Sequence, residues 1–187
     1  MPIAVLHWPT VWPLFAHRPA RFDFFALSVG SVIPDLECPF LYILTWDRWK
    51  SRGLMHSLLG SITVDLGLTI ALVLFAVPPL LRKLEGRLKN KRWFFFAGVD
   101  LRSQKPSIFV TSSSALIGTV SHVLLDTLHH PYNPLSFPVE SYYGFNLVPF
   151  GDFERVGWIV QLSMLALLLA MLYFYYFRQQ ARGAGGK

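Results

Sequence analysis

The sequence predicts an all-α integral membrane protein, a helical bundle of four long transmembrane helices preceded by a short N-terminal membrane segment. Hydrophobic residues make up 53% of the 187 residues and charged residues only 15%, a composition too apolar for a soluble domain of this length. Four stretches each match the roughly 20 apolar residues that cross a bilayer. The basic residues also concentrate on one side of these stretches, as in multi-pass membrane proteins.

The apolar stretches define the predicted spans, which are Phe22 to Trp46, His56 to Leu81, Ser107 to Leu128 and Val156 to Phe177. An earlier stretch from Ile3 to His17 covers only about 22 Å at ~1.5 Å per helical residue. It is compatible with a tilted short span, a re-entrant segment or an interfacial helix. We therefore expect residues 1–177 to form one membrane-embedded domain and residues 178–187 a flexible basic tail.

The basic residues predict the orientation. Of the 17 lysines and arginines, 13 fall on the side of the 82–105 loop and the C-terminus. The positive-inside rule places this side in the cytoplasm. We therefore expect a multi-pass protein of the inner (plasma) membrane with a cytoplasmic C-terminus. Residues 82–105 then form a solvated basic loop. The Pro- and aromatic-rich loop 129–155 lies on the outer side, as a lid or as an interfacial aromatic belt. The net charge of +6 is explained by this distribution of basic residues in a membrane protein, so we expect no nucleic-acid partner.

Ionisable residues inside the spans gather near their predicted outer ends. Burying a charge there costs about 2.5 to 3.5 kcal/mol on insertion scales, so such residues usually face the bundle interior and mark function. Because neighbouring spans run antiparallel, these ends meet at one membrane face. The residues concerned are Asp35, Glu37, His56, His122, Asp126, His129 and His130.

The third span carries a helical stripe of these side chains. His122 and Asp126 are four residues apart and share a face, which His129 and His130 extend before Pro131 limits the helix. A metal-ligand pair and a structural histidine–carboxylate pair fit this segment equally well.

Asp35 and Glu37 are two residues apart, so they cannot face one point on a regular helix. Pro34 and Pro39 bracket them and predict a kinked or broken helix there, of the kind that lines cavities at membrane depth. Asp35 is favoured as a metal ligand. Glu37 is a supporting residue or a general base, or alternatively a solvent-facing carboxylate.

Four other residues carry weaker predictions. Asp65 follows His56 by nine residues, on the opposite helical face, and is expected to pair with another helix. His17 is expected to be solvated at the interface. His7 joins the cluster if the short first segment crosses the membrane. The single cysteine, Cys38, excludes a cysteine-rich zinc site and is interpreted as a buried apolar residue.

Imidazole and carboxylate ligands suit zinc or a comparable divalent ion. A hydrolytic site additionally needs an open position, where bound water is acidified and aimed at a phosphoryl or acyl centre. Four ligands allow one such ion, and five to seven allow two.

Four motifs, in order, resemble the YdjM-like family of small inner-membrane proteins, which is identified with metal-dependent hydrolases. The motifs are Met1-Pro-Ile-Ala-Val-Leu-His7, Gly30-Ser-Val-Ile-Pro-Asp35-Leu-Glu37, Arg52-Gly-Leu-Met-His56-Ser-Leu-Leu-Gly60 and Ser121-His-Val-Leu-Leu-Asp126-Thr-Leu-His129.

The order of the histidines and aspartates is also similar to that of the α-helical zinc phospholipase C and P1 nuclease group. This likeness implies one zinc held by four residues and a second held by His7 with a bridging Asp126. The implied ligands of the first zinc are Asp35, His56, His122 and Asp126.

The predicted function is a metal-dependent hydrolase of phosphoesters, such as lipid head groups at the outer leaflet, with the bilayer and an amphiphilic substrate as partners. Asp126 and Glu37 are the predicted catalytic residues, and His129 is a further predicted ligand. One alternative is a metal or ion transporter, although few inner polar groups beyond Thr111 to Ser114 and Thr119 are available for a path. Another is a scaffold whose histidines and aspartates only link helices.

Overall fold

The structure is a computed structural model that describes residues 4–47, 51–88, 94–97, 99–139, 147–148 and 151–184. Of residues 4, 5, 95 and 176–184 it describes the backbone only. About 72% of the chain is helical and almost none is strand. The predicted all-α fold class is therefore confirmed.

The described chain contains eight α-helices, of which the last two are the longest. In order they are α1 Trp8–His17, α2 Phe24–Gly30, α3 Glu37–Thr45, α4 Leu58–Ile62, α5 Val64–Ala71, α6 Val77–Arg87, α7 Ile108–Asp126 and α8 Phe153–Ala184. A hairpin of β1 Phe95–Phe96 and β2 Val99–Asp100 lies between α6 and α7. The remaining turns are 3-10 helical at Ala4–His7, Ile33–Leu36 and Leu54–His56, and π-helical at Leu72–Ala76.

Within the described residues, three helical stretches are long and apolar enough to cross a membrane, namely Leu58–Arg87, Ile108–Asp126 and Phe153–Tyr175. A fourth span results if α2 and the stretch Ile33–Thr45, which meet at a 43° bend, count as one. These stretches correspond to the four predicted spans and fit a multi-pass membrane protein. The predicted short N-terminal segment is α1, which packs against α2 and α8.

The first span is broken at Ser31 and Val32. Pro34 stands in the first turn of the 3-10 segment that follows, and a proline disfavours the α conformation in the residue before it. The kinked or broken helix predicted around Asp35 and Glu37 is therefore observed: the chain bends by 43° between Gly30 and Ile33, and Asp35 lies in the 3-10 segment that follows. Pro39 occupies the first turn of α3, where a helix needs no N–H.

The basic segment 82–105 differs from the solvated loop that was predicted. Helix α6 continues to Arg87, so the connection begins later, and the hairpin returns to the bundle. Phe96 and Leu101 are buried in one hydrophobic cluster with Trp12 and Phe15 of α1. The apolar residues of this segment therefore close one end of the bundle.

Helices α2 and α7 approach each other through glycines. A Cβ atom added at Gly118 would lie 2.7 Å from the carbonyl oxygen of Leu27, and one added at Gly30 would lie 2.7 Å from that of Ala115. Small residues allow such backbone contact between membrane helices. The contact places the Ser31 carbonyl oxygen 2.7 Å from Nδ1 of His122, so helix packing orients a predicted ligand.

We expect Gly118→Ala to destabilise the protein by about 1–3 kcal/mol, since the added methyl group overpacks the α2–α7 contact. Gly67→Ala in α5 is the matched control, because a Cβ there meets nothing within 4 Å. Thermal melting in detergent checks both variants. If Gly118→Ala melted at the same temperature as the wild type, the close contact between α2 and α7 would be contradicted.

Two buried aspartates have opposite surroundings. Asp23 accepts hydrogen bonds from the backbone N–H groups of Phe25 and Ala26 and, at 2.8 Å, from the Thr111 hydroxyl. Asp65 is fully buried, and within the described structure neither of its carboxylate oxygens has a hydrogen-bond partner. The predicted pairing of Asp65 with another helix is therefore wrong, because no hydrogen-bonding side chain of the described neighbouring helices reaches it.

We expect Asp23→Ala and Asp65→Ala to change stability in opposite directions. The first removes a helix N-cap and should cost about 1–2 kcal/mol. The second removes a buried carboxylate that lacks hydrogen bonds and should raise the melting temperature. Melting curves of both variants in the same detergent test this, and a loss of stability in Asp65→Ala would show an unrecognised partner.

Candidate metal centre

The six predicted metal ligands converge at one end of the bundle. Helix α7 carries two of them, three 3-10 turns carry one each, and the last lies just after α7. All are buried except Asp35, whose side chain is 15% exposed. The converging residues are His7, Asp35, His56, His122, Asp126 and His129.

Asp126 lies at the centre of the cluster and presents a different oxygen to each half. Its Oδ1 lies 3.7 Å from Nε2 of His7 and 3.7 Å from Nε2 of His129. Its Oδ2 lies 3.6 Å from Nε2 of His56 and 3.8 Å from Nε2 of His122. One carboxylate thus faces two separate groups of imidazoles.

Asp35 completes the group around Oδ2. Its Oδ1 lies 3.5 Å from Nε2 of His56 and 3.6 Å from Nε2 of His122. These separations exceed the range of about 2.7–3.2 Å for N–H···O hydrogen bonds. They approach the spacing of about 3.3–3.6 Å that a tetrahedral ion with bonds of about 2.0–2.2 Å imposes on its ligand atoms.

Hydrogen bonds at the other ring nitrogen orient three of the histidines. Nδ1 of His122 lies 2.7 Å from the Ser31 carbonyl, and Nδ1 of His129 lies 3.0 Å from the Leu125 carbonyl. Since a carbonyl oxygen only accepts, both Nδ1 atoms donate, and each Nε2 carries a lone pair. Neither Nε2 has a hydrogen-bond partner in the described structure.

Glu37 orients His56 in the same way. Its Oε1 lies 2.7 Å from Nδ1 of His56 and also accepts from the Gly53 N–H, while Oε2 accepts from the Met55 N–H. A carboxylate behind a metal-binding imidazole is a common support for metal sites. Because both oxygens are engaged, the geometry favours this supporting role, and the role of Glu37 as a general base stays a prediction.

His7 reaches the cluster from the N-terminal segment. Its ring stacks on that of His122 with centroids 4.0 Å apart, and neither of its nitrogens has a hydrogen-bond partner among the described residues. A buried imidazole without partners is costly, so these nitrogens indicate a ligand. Burial also lowers the pKa of His129, which favours the neutral, metal-binding form of that ring.

Arg52 belongs to the site, although the sequence analysis counted it only as an outer basic residue. Its Nε donates to Oδ2 of Asp126 at 3.1 Å, and its Nη2 lies 2.8 Å from Nε2 of His130. A guanidinium only donates, so Nε2 of His130 accepts and is not free for a metal. Burial lowers the pKa of His130 to about 2, in agreement with a neutral acceptor.

Cys38 is buried, as expected, yet it touches the site. Its Sγ lies 3.7 Å from Nε2 of His56 and 3.8 Å from Oδ1 of Asp35. Because residues three apart lie on the same side of a helix, the spacing of Asp35 and Cys38 could have indicated this contact. By contrast, His17 is exposed at the far end of α1, away from the cluster.

The cluster can hold a metal ion. Its donor atoms form overlapping groups whose members lie within 4.8 Å of one another, including His56, His122 and Asp126 in one half and His7, Asp126 and His129 in the other. Buried lone pairs without donors and buried carboxylates are the chemistry that a cation satisfies.

Comparison with known proteins supplies the family. The model of a family described as a domain of unknown function, DUF4184, matches residues 1–184. The chain belongs to the DUF4184 family. No curated protein and no solved structure matches it significantly. The match covers all the converging residues of this DUF4184 protein, so the whole cluster lies within the family domain.

We expect Glu37→Gln to weaken metal binding by the DUF4184 protein about 10- to 100-fold, as is typical when the partner of a metal-binding histidine is changed. The glutamine side chain would place an NH2 group where one Glu37 oxygen now accepts a hydrogen bond from a backbone N–H, so that hydrogen bond would be lost. Competition with a fluorescent chelator measures the affinity. Glu154→Gln, at the exposed start of α8, should bind as tightly as the wild type, and an unchanged affinity of Glu37→Gln would contradict the supporting role.

Proposed function

We propose that this protein is a membrane-embedded, metal-dependent hydrolase of phosphoesters. The observation that carries the proposal is the geometry of three anchored imidazoles, whose Nε2 atoms lie 3.5–3.8 Å from the carboxylate oxygens of Asp35 and Asp126. Hydrogen-bonded histidine–aspartate pairs that merely link helices would lie closer together. This spacing therefore favours a metal centre over a structural cluster.

The donor set favours zinc, because imidazole nitrogens outnumber carboxylates and the ligands leave no octahedral oxygen shell. Asp35, His56, His122 and Asp126 would hold one ion. His7, His129 and the second oxygen of Asp126 would hold another. When bound, such ions acidify a water molecule and polarise a phosphoryl oxygen.

The protein residues would divide the remaining work. Asp126 holds both halves of the site at a fixed separation, because its two oxygens face different imidazoles. Glu37 keeps Nε2 of His56 directed inward through the hydrogen bond at Nδ1. Asp35 is the most exposed of the proposed ligands, so substrate would approach from its side.

The surface next to Asp35 supports an amphiphilic substrate. Helix α3 begins two residues after Asp35 and exposes the apolar side chains of Phe40, Ile43 and Leu44, each more than 60% accessible. In a bilayer this surface faces lipid tails. A lipid could therefore lie along α3 with its phosphate at the metal centre, and the positive-inside rule would place this centre at the outer face.

Transport is less favoured. Val73, in the π-helical turn Leu72–Ala76 that follows α5, packs with Ala26 and Ala115 in a buried apolar cluster. A conduction path needs polar or ionisable groups along its length, and this cluster offers none.

The proposal predicts bound metal in the purified protein, at one to two ions per chain. We expect Asp126→Ala to lose most of it, because that residue serves both halves, and His129→Ala to lose at most one ion. His17→Ala should retain the wild-type amount, since His17 lies outside the cluster. Elemental analysis after gel filtration in detergent measures all four proteins.

Activity forms the second arm of this experiment. Hydrolysis of a phospholipid in micelles should stop with chelator and return with added zinc. Wild-type protein without metal would refute the metal centre. Metal bound in stoichiometric amounts without hydrolysis of a panel of phosphoesters would favour the scaffold.

A further inference from the structure

Arg52 is a buried cation at the metal centre. It is 7% exposed, and it lies four residues before His56, on the segment that leads into the 3-10 turn Leu54–His56. A buried arginine needs a compensating anion. Asp126 is that anion here, through the 3.1 Å contact from Nε.

The hydrogen bonds of Arg52 leave part of its guanidinium unused. Nε donates to Asp126 and Nη2 donates to His130, whereas a guanidinium carries five N–H groups. Nη1 makes no hydrogen bond to the described part of the chain. Among the described residues, both N–H groups of Nη1 are thus unused donors. The side chain is not completely enclosed, since 6% of its surface remains exposed.

The charge of the centre defines what such a ligand would be. Three carboxylates, Asp35, Glu37 and Asp126, lie around one guanidinium. Imidazoles that bind a metal are neutral, so one divalent ion would balance the two excess negative charges, and a second would leave two positive charges. Within the described residues Arg52 pairs with one carboxylate, that of Asp126, which also lies within 3.8 Å of five imidazoles. A metal bound to Asp126 would therefore weaken the hold of Asp126 on Arg52.

We infer that Arg52 forms the anion-binding position of the site, in which its free N–H groups receive a nonbridging oxygen of a phosphoryl group. This inference rests on the proposed function and specifies how the substrate is held. Arginine suits the role because its planar guanidinium holds N–H groups in fixed and different directions, so Asp126 and a phosphoryl oxygen can be bound with defined geometry, whereas a lysine ammonium acts as a compact point charge. His130 fixes the plane of the fork by accepting from Nη2.

The test compares inorganic phosphate binding in the zinc-loaded wild type, Arg52→Lys and Arg52→Gln by titration calorimetry in detergent. Losing a charge-assisted hydrogen bond should weaken phosphate binding about 10- to 100-fold in Arg52→Gln. A smaller loss is expected in Arg52→Lys, which keeps the charge. The metal content should stay at the wild-type value in both variants.

Arg155→Gln is the matched control, because Arg155 lies at the same end of the bundle with a side chain that is 80% exposed. Its phosphate affinity should equal that of the wild type. Phosphatidic acid in nonionic micelles forms a second arm. If it binds more tightly than phosphate and loses affinity equally in Arg52→Gln, the anion is a lipid head group. If phosphate and phosphatidic acid bind equally well and lose the same affinity in Arg52→Gln, the anion is the phosphoryl group of a soluble phosphoester.

Several results would overturn the inference. Unchanged phosphate affinity in Arg52→Gln with full metal content would remove Arg52 from substrate binding. Loss of metal in both variants would show that Arg52 only holds Asp126 in place. A zinc-loaded wild type that binds neither phosphate nor phosphatidic acid would overturn the anion site while leaving the metal centre intact. Wild type without metal would instead refute the proposed function itself.

Discussion

The carboxylate of Asp126 is the point at which the architecture and the chemistry of this protein meet. It is almost fully buried at the end of α7, and its two oxygens face five imidazoles and one guanidinium. An ionised carboxylate in such a place is stable only if cations or hydrogen-bond donors surround it. The elements that converge here, from the N-terminal turn to the segment after α7, are arranged to supply them.

The close packing of α2 and α7 makes this arrangement specific. Glycines at the contact let the backbones approach, and the break after Gly30 provides the Ser31 carbonyl that anchors His122. The same break turns the chain so that Asp35 faces His56 and His122 from one side. A regular helix through this region would have satisfied its own carbonyls and directed Asp35 elsewhere. The irregular backbone is thus tied to the site.

Asp23 and Asp65 show how differently the bundle treats its acidic residues. Asp23 begins α2 and is fully engaged by the helix that it caps and by α7. Asp65 lies in α5, and the described residues offer its carboxylate no hydrogen bond. Buried carboxylates without a hydrogen-bond partner persist in proteins mainly where function retains them.

Sequence alone determined the fold class, the position of the long apolar helical stretches and the end of the bundle at which the ionisable residues meet. Span length and hydropathy are local properties set by bilayer thickness, and the spacing of His122 and Asp126 follows from the helical repeat. These features could be predicted because each depends on one segment at a time.

Only the tertiary structure decided how the residues face one another. The rotation and depth of each helix depend on packing against its neighbours, which local periodicity does not encode. For this reason the anchoring of His122 and His129 by backbone carbonyls, the pairing of Arg52 with His130 and the contact of Cys38 with His56 were not foreseen. The prediction for residues 82–105 was wrong for the same reason. The charges of this segment favoured a solvated loop, whereas Phe96 and Leu101 pack against residues of α1.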